Sequence, residues 1–157
     1  MPTRRSPELR SGRWSEPGRI YLVTIVTDGR RPWFQDWEPA AAVARALAGR
    51  DAWPGSRLLC WVLMPDHWHG LLELGESESL SRTVGRAKAH ATRVWKPDAG
   101  RLWQPGFHDR ALRSDDNLLA AARYVVANPI RAGISRSFGG YSYWDAVWIS
   151  ADADAAS

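Results

Sequence analysis

The sequence predicts an α+β domain in which an antiparallel, ferredoxin-like sheet carries helices mainly on one face. Three observations lead there. Segments of strand and helix character follow one another in the order strand, helix, strand, strand, helix, strand, helix. Two of the strands meet at a two-residue turn, which joins antiparallel neighbours and not parallel ones. No internal repeat or long linker divides the 157 residues, and with 45% of them hydrophobic and 24% charged the chain can bury one sizeable core.

Residues 1–18 place Arg4, Arg5, Arg10 and Arg13 among Pro, Ser and Gly without apolar periodicity, which reads as a basic arm. One domain is expected over 19–149. "RIYLVTIVT" is rich in β-branched and aromatic residues and is bounded by Gly18 and "DGR", so it reads as a strand followed by a turn. "DWEPAAAVARALAGR" reads as a helix with Asp36 as N-cap, Glu38 in the first turn and Gly49 as the stop. "RLLCWVLM" and "HWHGLLEL" form a hairpin about "PD". From Ser79 to Lys96, Leu80, Val84, Ala87, Ala91 and Val94 recur at helical spacing, while Arg82, Arg86, His90, Arg93 and Lys96 gather on the opposite side. "WQPGFHDRALR" reads as a further strand. "SDDNLLAAARYVVANP" reads as a helix capped by Ser114, with Asp115 and Asp116 at its positive end and Pro129 closing it. The remainder is expected to pack across the body before a frayed tail at 150–157.

Charge and cysteine usage narrow the function. Lys and Arg number 21 against 17 Asp and Glu, a formal charge of +4, which points to an anionic partner, nucleic acid first. Cys60 is the single cysteine, so an internal disulfide and any multi-cysteine zinc site are excluded; it reads as a small buried hydrophobe in a reducing compartment. No run of residues is apolar for long enough to span a bilayer or serve as a signal peptide, and a cytoplasmic protein without membrane partners is expected.

The stretch "VLMPDHWHGLLEL" raises the main chemical question. In a strand, residues i and i+2 point the same way about 6.6 Å apart, so His67 and His69 can converge on one ion while Trp68 and Gly70 face the other side. An isolated His-x-His is short, and two partly buried histidines bonded to backbone explain it as simply. Farther on, Tyr124 and Asn128 lie four apart on one flank of their helix, off the apolar stripe of Leu118, Leu119, Ala122, Val125 and Val126. Tyr124 is then either a rim residue or a phenol presented to a site.

Taken in order, "VLMPDHWHGLL", "WQPGFHDRALR" and "RYVVANPIRAGI" resemble the motif series of the single-tyrosine HUH transposases, and within them the REP-associated tyrosine transposases. The resemblance implies the HUH transposase fold, with His67 and His69 as metal ligands and Tyr124 as the nucleophile. Asn128 falls where relatives carry a polar third ligand, although insertion-sequence relatives have Gln there. It also implies Mg²⁺, or Mn²⁺, as cofactor and single-stranded or hairpin DNA at palindromic repeats as substrate. Cleavage would give a 5′-phosphotyrosine and a free 3′-hydroxyl, with the monomer the expected state and a dimer the alternative. Phenols titrate near pH 10, so attack on a phosphodiester needs help with proton loss and with phosphate charge. Arg82, Arg86, Arg93 and Lys96, with the four arginines of the arm, are candidate phosphate contacts, and some of the ten tryptophans are candidates for base stacking. Two other readings stay open. One is a DNA-hairpin-binding protein that does not cut. The other is an unrelated metallohydrolase, which would need a carboxylate such as Asp109 or Glu73 near the histidines.

Overall fold

The computed structural model describes residues 16–113, 117–131 and 144–146. The arm with Arg4, Arg5, Arg10 and Arg13, the residues Ser114, Asp115 and Asp116, and the tail at 150–157 lie outside the described residues. The strands β1 (Ile20–Val26), β2 (Arg57–Met64), β3 (His67–Glu73), β4 (His108–Ala111) and β5 (Trp144–Ala146) form one antiparallel sheet in the order β4-β1-β3-β2-β5. The helices are α1 (Trp37–Ala48), α2 (Leu80–Val94), α3 (Leu118–Val126) and the single turn α4 (Asn128–Arg131).

Period-two alternation in the strands divides the core into two layers. On one face Tyr21, Val23 and Ile25 of β1, Trp61 and Leu63 of β2, and Trp68 and Leu72 of β3 pack beneath α1 and α2, which contribute Val43, Leu47, Leu80, Val84, Ala87 and Ala91. On the other face Val62, Met64 and Leu71 meet Ala122, Val125 and Val126 of α3. Two long helices thus share one face and one lies on the other, an α+β arrangement with its helices mainly on one side.

A bulge in β2 sets which side chains face which layer. Leu58 pairs with Leu72 but Cys60 pairs with Leu71, so Leu59 is an extra residue. Leu59 and Cys60 consequently both belong to the α3 layer, and the shift sends Trp61 and Leu63 under α1 and α2. Burial pushes the Cys60 thiol up to about 12, and the group is inert at neutral pH, as its apolar neighbours imply.

Helix ends show where local chemistry competes. Ser79 caps α2, its hydroxyl accepting from Arg82 N at 3.3 Å. Asp36 occupies the N-cap of α1 without a side-chain cap bond. The α3 start differs from the Ser114 cap expected from sequence: Asn117 is the N-cap, its Oδ1 accepting from Ala120 N at 3.1 Å. Asn caps as well as Ser does, and the one adjacent to the apolar run prevails. Pro129, read from the sequence as the stop, instead lies in the opening turn of α4; α3 ends three residues earlier at Val126. A proline cannot follow four residues into an existing helix but suits the start of a new one. Within 132–146 the sequence predicts packing across the body, and the described part is an edge strand, β5, on β2.

Gly70, the glycine of "HWHG", is required by its own neighbour. A Cβ there would collide with Cη2 of Trp68 and stand 3.0 Å from the Cys60 carbonyl oxygen, because the buried indole two residues back lies over it. Gly70→Ala is therefore expected to displace Trp68 and to destabilise the fold by about 1–3 kcal/mol, measured by urea denaturation. An unchanged midpoint would show that the indole is not confined there.

Candidate active site

His67 and His69 both project from the face of β3 that carries Leu71, the α3 side of the sheet. The ring centroids are 6.3 Å apart. His69 is only 8% exposed and its polar atoms need partners. One comes from β1: register pairs Thr24 with His69, and Thr24 Oγ1 lies 2.6 Å from His69 Nδ1. His67, at the strand's start, has Nδ1 2.8 Å from Oδ1 of Asp66. The Arg30 guanidinium reaches the other Asp66 oxygen at 3.3 Å. Burial would raise the Asp66 carboxyl, but its bond to His67 and the charges of His67 and Arg30 outweigh that and hold it below the usual carboxylate range.

Tyr124 completes the group. It stands on the last full turn of α3, 55% exposed, with its ring centroid 6.3 Å from that of His69. The apolar positions Ala122, Val125 and Val126 bury their side of the helix against the sheet and leave Tyr124 off that stripe, half-exposed beside His69. Asn128 follows one helical turn later at the head of α4, partly buried. The structure thus brings His67, His69 and Tyr124 into succession, from two segments of the sequence.

The donor set fits a divalent ion of borderline character. Two imidazoles on one strand face, each approached at Nδ1 by a neighbouring oxygen, leave Nε2 as the ligating nitrogen, with an amide oxygen from Asn128 as a candidate hard donor. Among the described residues no group of three or more His, Cys, Asp and Glu is arranged to hold a metal. The carboxylates that a metallohydrolase would need are elsewhere. Glu73 is six residues along β3 from His67, roughly 20 Å. Asp109 pairs with Val23, whose side chain faces the α1 and α2 layer. Among the described residues the carboxylate nearest the histidines is Asp66, and it holds a ring nitrogen.

Of the expected phosphate contacts, those on and just after α2 lie on the other layer, and those of the arm lie outside the described residues. Arg82, Arg86 and Arg93 are exposed on the outer side of α2, with Lys96 just beyond its end, across the sheet from the histidines. Arg86 is paired with Glu78. Among the tryptophans Trp53, Trp61, Trp68 and Trp103 are core, whereas Trp37 is 75% exposed.

Sequence reading missed three residues that shape this region. Thr24 and Arg30 are brought in only by strand register and by the turn after β1. Lys88, also on α2, donates to the carbonyls of Gln104 at 2.8 Å and Gly106 at 2.7 Å, fixing the segment that enters β4. Burial, with the Arg101 charge adding to it, lowers the Lys88 pKa.

Comparison with known proteins gives the family and the fold. The family described as "Transposase IS200 like" matches residues 18–128, a span that holds both histidines, Tyr124 and Asn128. The chain belongs to this family. No curated protein matches it in sequence. Its fold is similar to that of a REP-associated tyrosine transposase solved bound to a REP hairpin, with a TM-score of 0.66 and 20% identity over 85% of this chain and 79% of that one. A putative transposase from Deinococcus radiodurans is similar at a TM-score of 0.52 and 23% identity, over 74% of this chain and 95% of the other. Both likenesses are of fold, and they extend to the α+β sheet on which this IS200-like transposase displays its histidines.

Lys88→Met keeps most of the side-chain bulk but leaves the part-buried Gln104 carbonyl and the exposed Gly106 carbonyl without their charged donor. A loss of about 1–3 kcal/mol in unfolding free energy is expected, read by urea denaturation. Stability equal to wild type would show that solvent replaces the ammonium without cost.

Proposed function

We propose that the protein is a metal-dependent single-stranded DNA endonuclease and strand transferase that acts at palindromic repeats folded as hairpins. The observation that carries this reading is the succession of His67, His69 and Tyr124, with ring centroids at 6.3 Å intervals, in a member of the IS200-like transposase family. The hairpin is favoured as substrate by the likeness in fold to a transposase solved with one.

Each residue has a defined task in this reaction. The Tyr124 oxygen attacks the scissile phosphorus in line with the departing 3′ oxygen. One phosphodiester is exchanged for another, the phenol proton ends on the 3′-hydroxyl, and the 5′ phosphate stays on Tyr124. The two ester bonds are of similar energy, so the step reverses when a new 3′-hydroxyl arrives, and strand transfer needs no external energy. His67 and His69, with Asn128, would hold a divalent ion, Mg²⁺ or Mn²⁺, which when bound neutralises charge developing on the phosphate. Half-exposure of Tyr124 suits a nucleophile that must accept a polymer from solvent. Since the basic side of α2 lies across the sheet, Arg82, Arg86, Arg93 and Lys96 are suited to the hairpin stem and not to the phosphate being cut. Arg4, Arg5, Arg10 and Arg13 are proposed to hold further phosphates.

Tyr124→Phe removes one oxygen and preserves the ring, so hairpin binding and thermal stability should stay close to wild type while covalent chemistry stops. With wild-type protein, Mg²⁺ and an oligonucleotide labelled 3′ of the cut, label should stay on the protein in a denaturing gel and map to the segment "YVVANPIR". EDTA or His67→Ala should abolish it. Cutting by the Phe variant would make a water the nucleophile and overturn the reading, and binding without any covalent product in the wild type would leave a hairpin-binding protein.

Neutralising Arg82, Arg86 and Arg93 together should weaken hairpin binding and reduce the slope of log affinity against log salt by up to about 3, near one for each phosphate that is no longer neutralised. Arg86 must exchange Glu78 for a phosphate, so its share is expected to be the smallest. An unchanged slope would mean that this face is only solvated.

A further inference from the structure

The two histidines are held in different ways. At His69 the neighbour is a hydroxyl, which donates or accepts, so the 2.6 Å contact with Thr24 orients the ring without dictating which nitrogen carries the proton. At His67 the neighbour is an ionised carboxylate, which only accepts, at 2.8 Å from Nδ1. In the neutral ring the proton then sits on Nδ1, and the lone pair on Nε2.

The carboxylate is itself placed with care. Thr27 is fully buried; its backbone N–H donates to the Asp66 carbonyl oxygen at 2.9 Å, and its hydroxyl lies between the carbonyl oxygens of Arg31 at 2.8 Å and Asp66 at 3.0 Å. Phe34 N donates to the adjacent Pro65 carbonyl oxygen at 3.0 Å. The turn between β2 and β3 is thereby pinned through its backbone, independently of the Asp66 side chain. Arg30, the one non-glycine residue with positive φ among the described residues, at 53°, sends its guanidinium from the turn after β1 to the second Asp66 oxygen.

We infer that Asp66, steadied by Arg30, is a positioning residue that commits His67 to the Nδ1–H tautomer before any ion arrives, so that Nε2 is presented ready to ligate. The inference rests on the metal-binding reading of His67 and His69. It divides the pair into a preset ligand and an adaptable one. Removing the carboxylate should therefore weaken ion binding without disturbing the turn, since that turn is held by Thr27 and Phe34. Loss of an outer partner of this kind lowers metal affinity by about 10–100-fold.

Two measurements on wild type, Asp66→Ala, Asp66→Asn and His67→Ala test it. In metal-free, ¹⁵N-histidine-labelled protein, long-range ¹H–¹⁵N correlation at about pH 8, where imidazoles are neutral, should give wild-type His67 as the Nδ1–H tautomer. Asp66→Ala should populate the other tautomer, and Asp66→Asn should restore part of the signal through its amide oxygen. Mn²⁺ titration followed by electron paramagnetic resonance should show Asp66→Ala binding about 10–100-fold more weakly than wild type, with Asp66→Asn between them and thermal melting close to wild type. An Nε2–H tautomer in the wild type, or wild-type tautomer and Mn²⁺ affinity in Asp66→Ala, would overturn the inference while leaving the metal site in place. Wild-type protein that binds Mn²⁺ no better than His67→Ala overturns the metal reading, and the inference falls with it whatever the tautomers.

Discussion

The register of β3 between β1 and β2 is the constraint on which the rest of the molecule depends. Along this central strand His67, Trp68 and His69 alternate, and the pairing of Thr24 with His69 and of Val62 with His69 sends the imidazoles toward α3 and the indole beneath α1 and α2. A slip of one residue would put two polar rings into the larger core and a tryptophan beside Tyr124. Trp68 works against such a slip. It is fully buried, stacks on Trp53 with centroids 5.3 Å apart, and needs Gly70 beside it. The glycine and tryptophan interleaved with the histidines are thus part of how the histidines are aimed. The bulge at Leu59 serves the same end from the other side, bringing Val62 into the row with Thr24 and His69 and turning Trp61 and Leu63 inward.

Holding a polar pair in the middle of a sheet has an energetic cost, and the structure meets it locally. A buried polar group left without a partner costs about 1–3 kcal/mol. Thr24, on the neighbouring strand, and Asp66, the residue before His67, answer this at the Nδ1 atoms. What satisfies the histidines in the folded protein is also what orients them for a ligand.

Much of this was legible in the sequence, and the failures share a cause. β2 and β3 stand where the apolar runs and the "PD" turn put them, and α2 follows its Ser79 cap and its apolar stripe. Period and capping are local properties, and local properties survive folding. The start of α3 at Asn117 and the role of Pro129 are decided between residues of nearly equal local fitness, which sequence alone cannot rank. β5 is a three-residue edge strand whose pairing partner lies some eighty residues earlier, and nothing in its own pattern names β2. In the site, His67, His69 and Tyr124 could be singled out by spacing and by family resemblance. Thr24, Arg30 and Lys88 could not, since each acts across a tertiary contact from a position with no distinguishing pattern of its own. Asp66 was visible as the neighbour of His67, but its side chain could be assigned to a ring nitrogen and not to an ion only once the hydrogen bond was seen.

The same reasoning reassigns the basic helix. Periodicity groups Arg82, Arg86, Arg93 and Lys96 on one side of α2 whatever α2 packs against, so a wheel can show that the face is charged but not where it looks. The fold puts α2 on the layer opposite the histidines. A strand lying at Tyr124 and phosphates held at α2 would have to belong to parts of one nucleic acid that reach around the edge of the sheet, a path that the folded stem of a hairpin and its single-stranded flank can share. In the proposed function, the layer that carries the larger core would also carry the broad electrostatic hold, where precision matters little. The thinner layer, closed by α3 alone, keeps the half-exposed phenol and the two oriented imidazoles, where positions within about half an ångström matter a great deal.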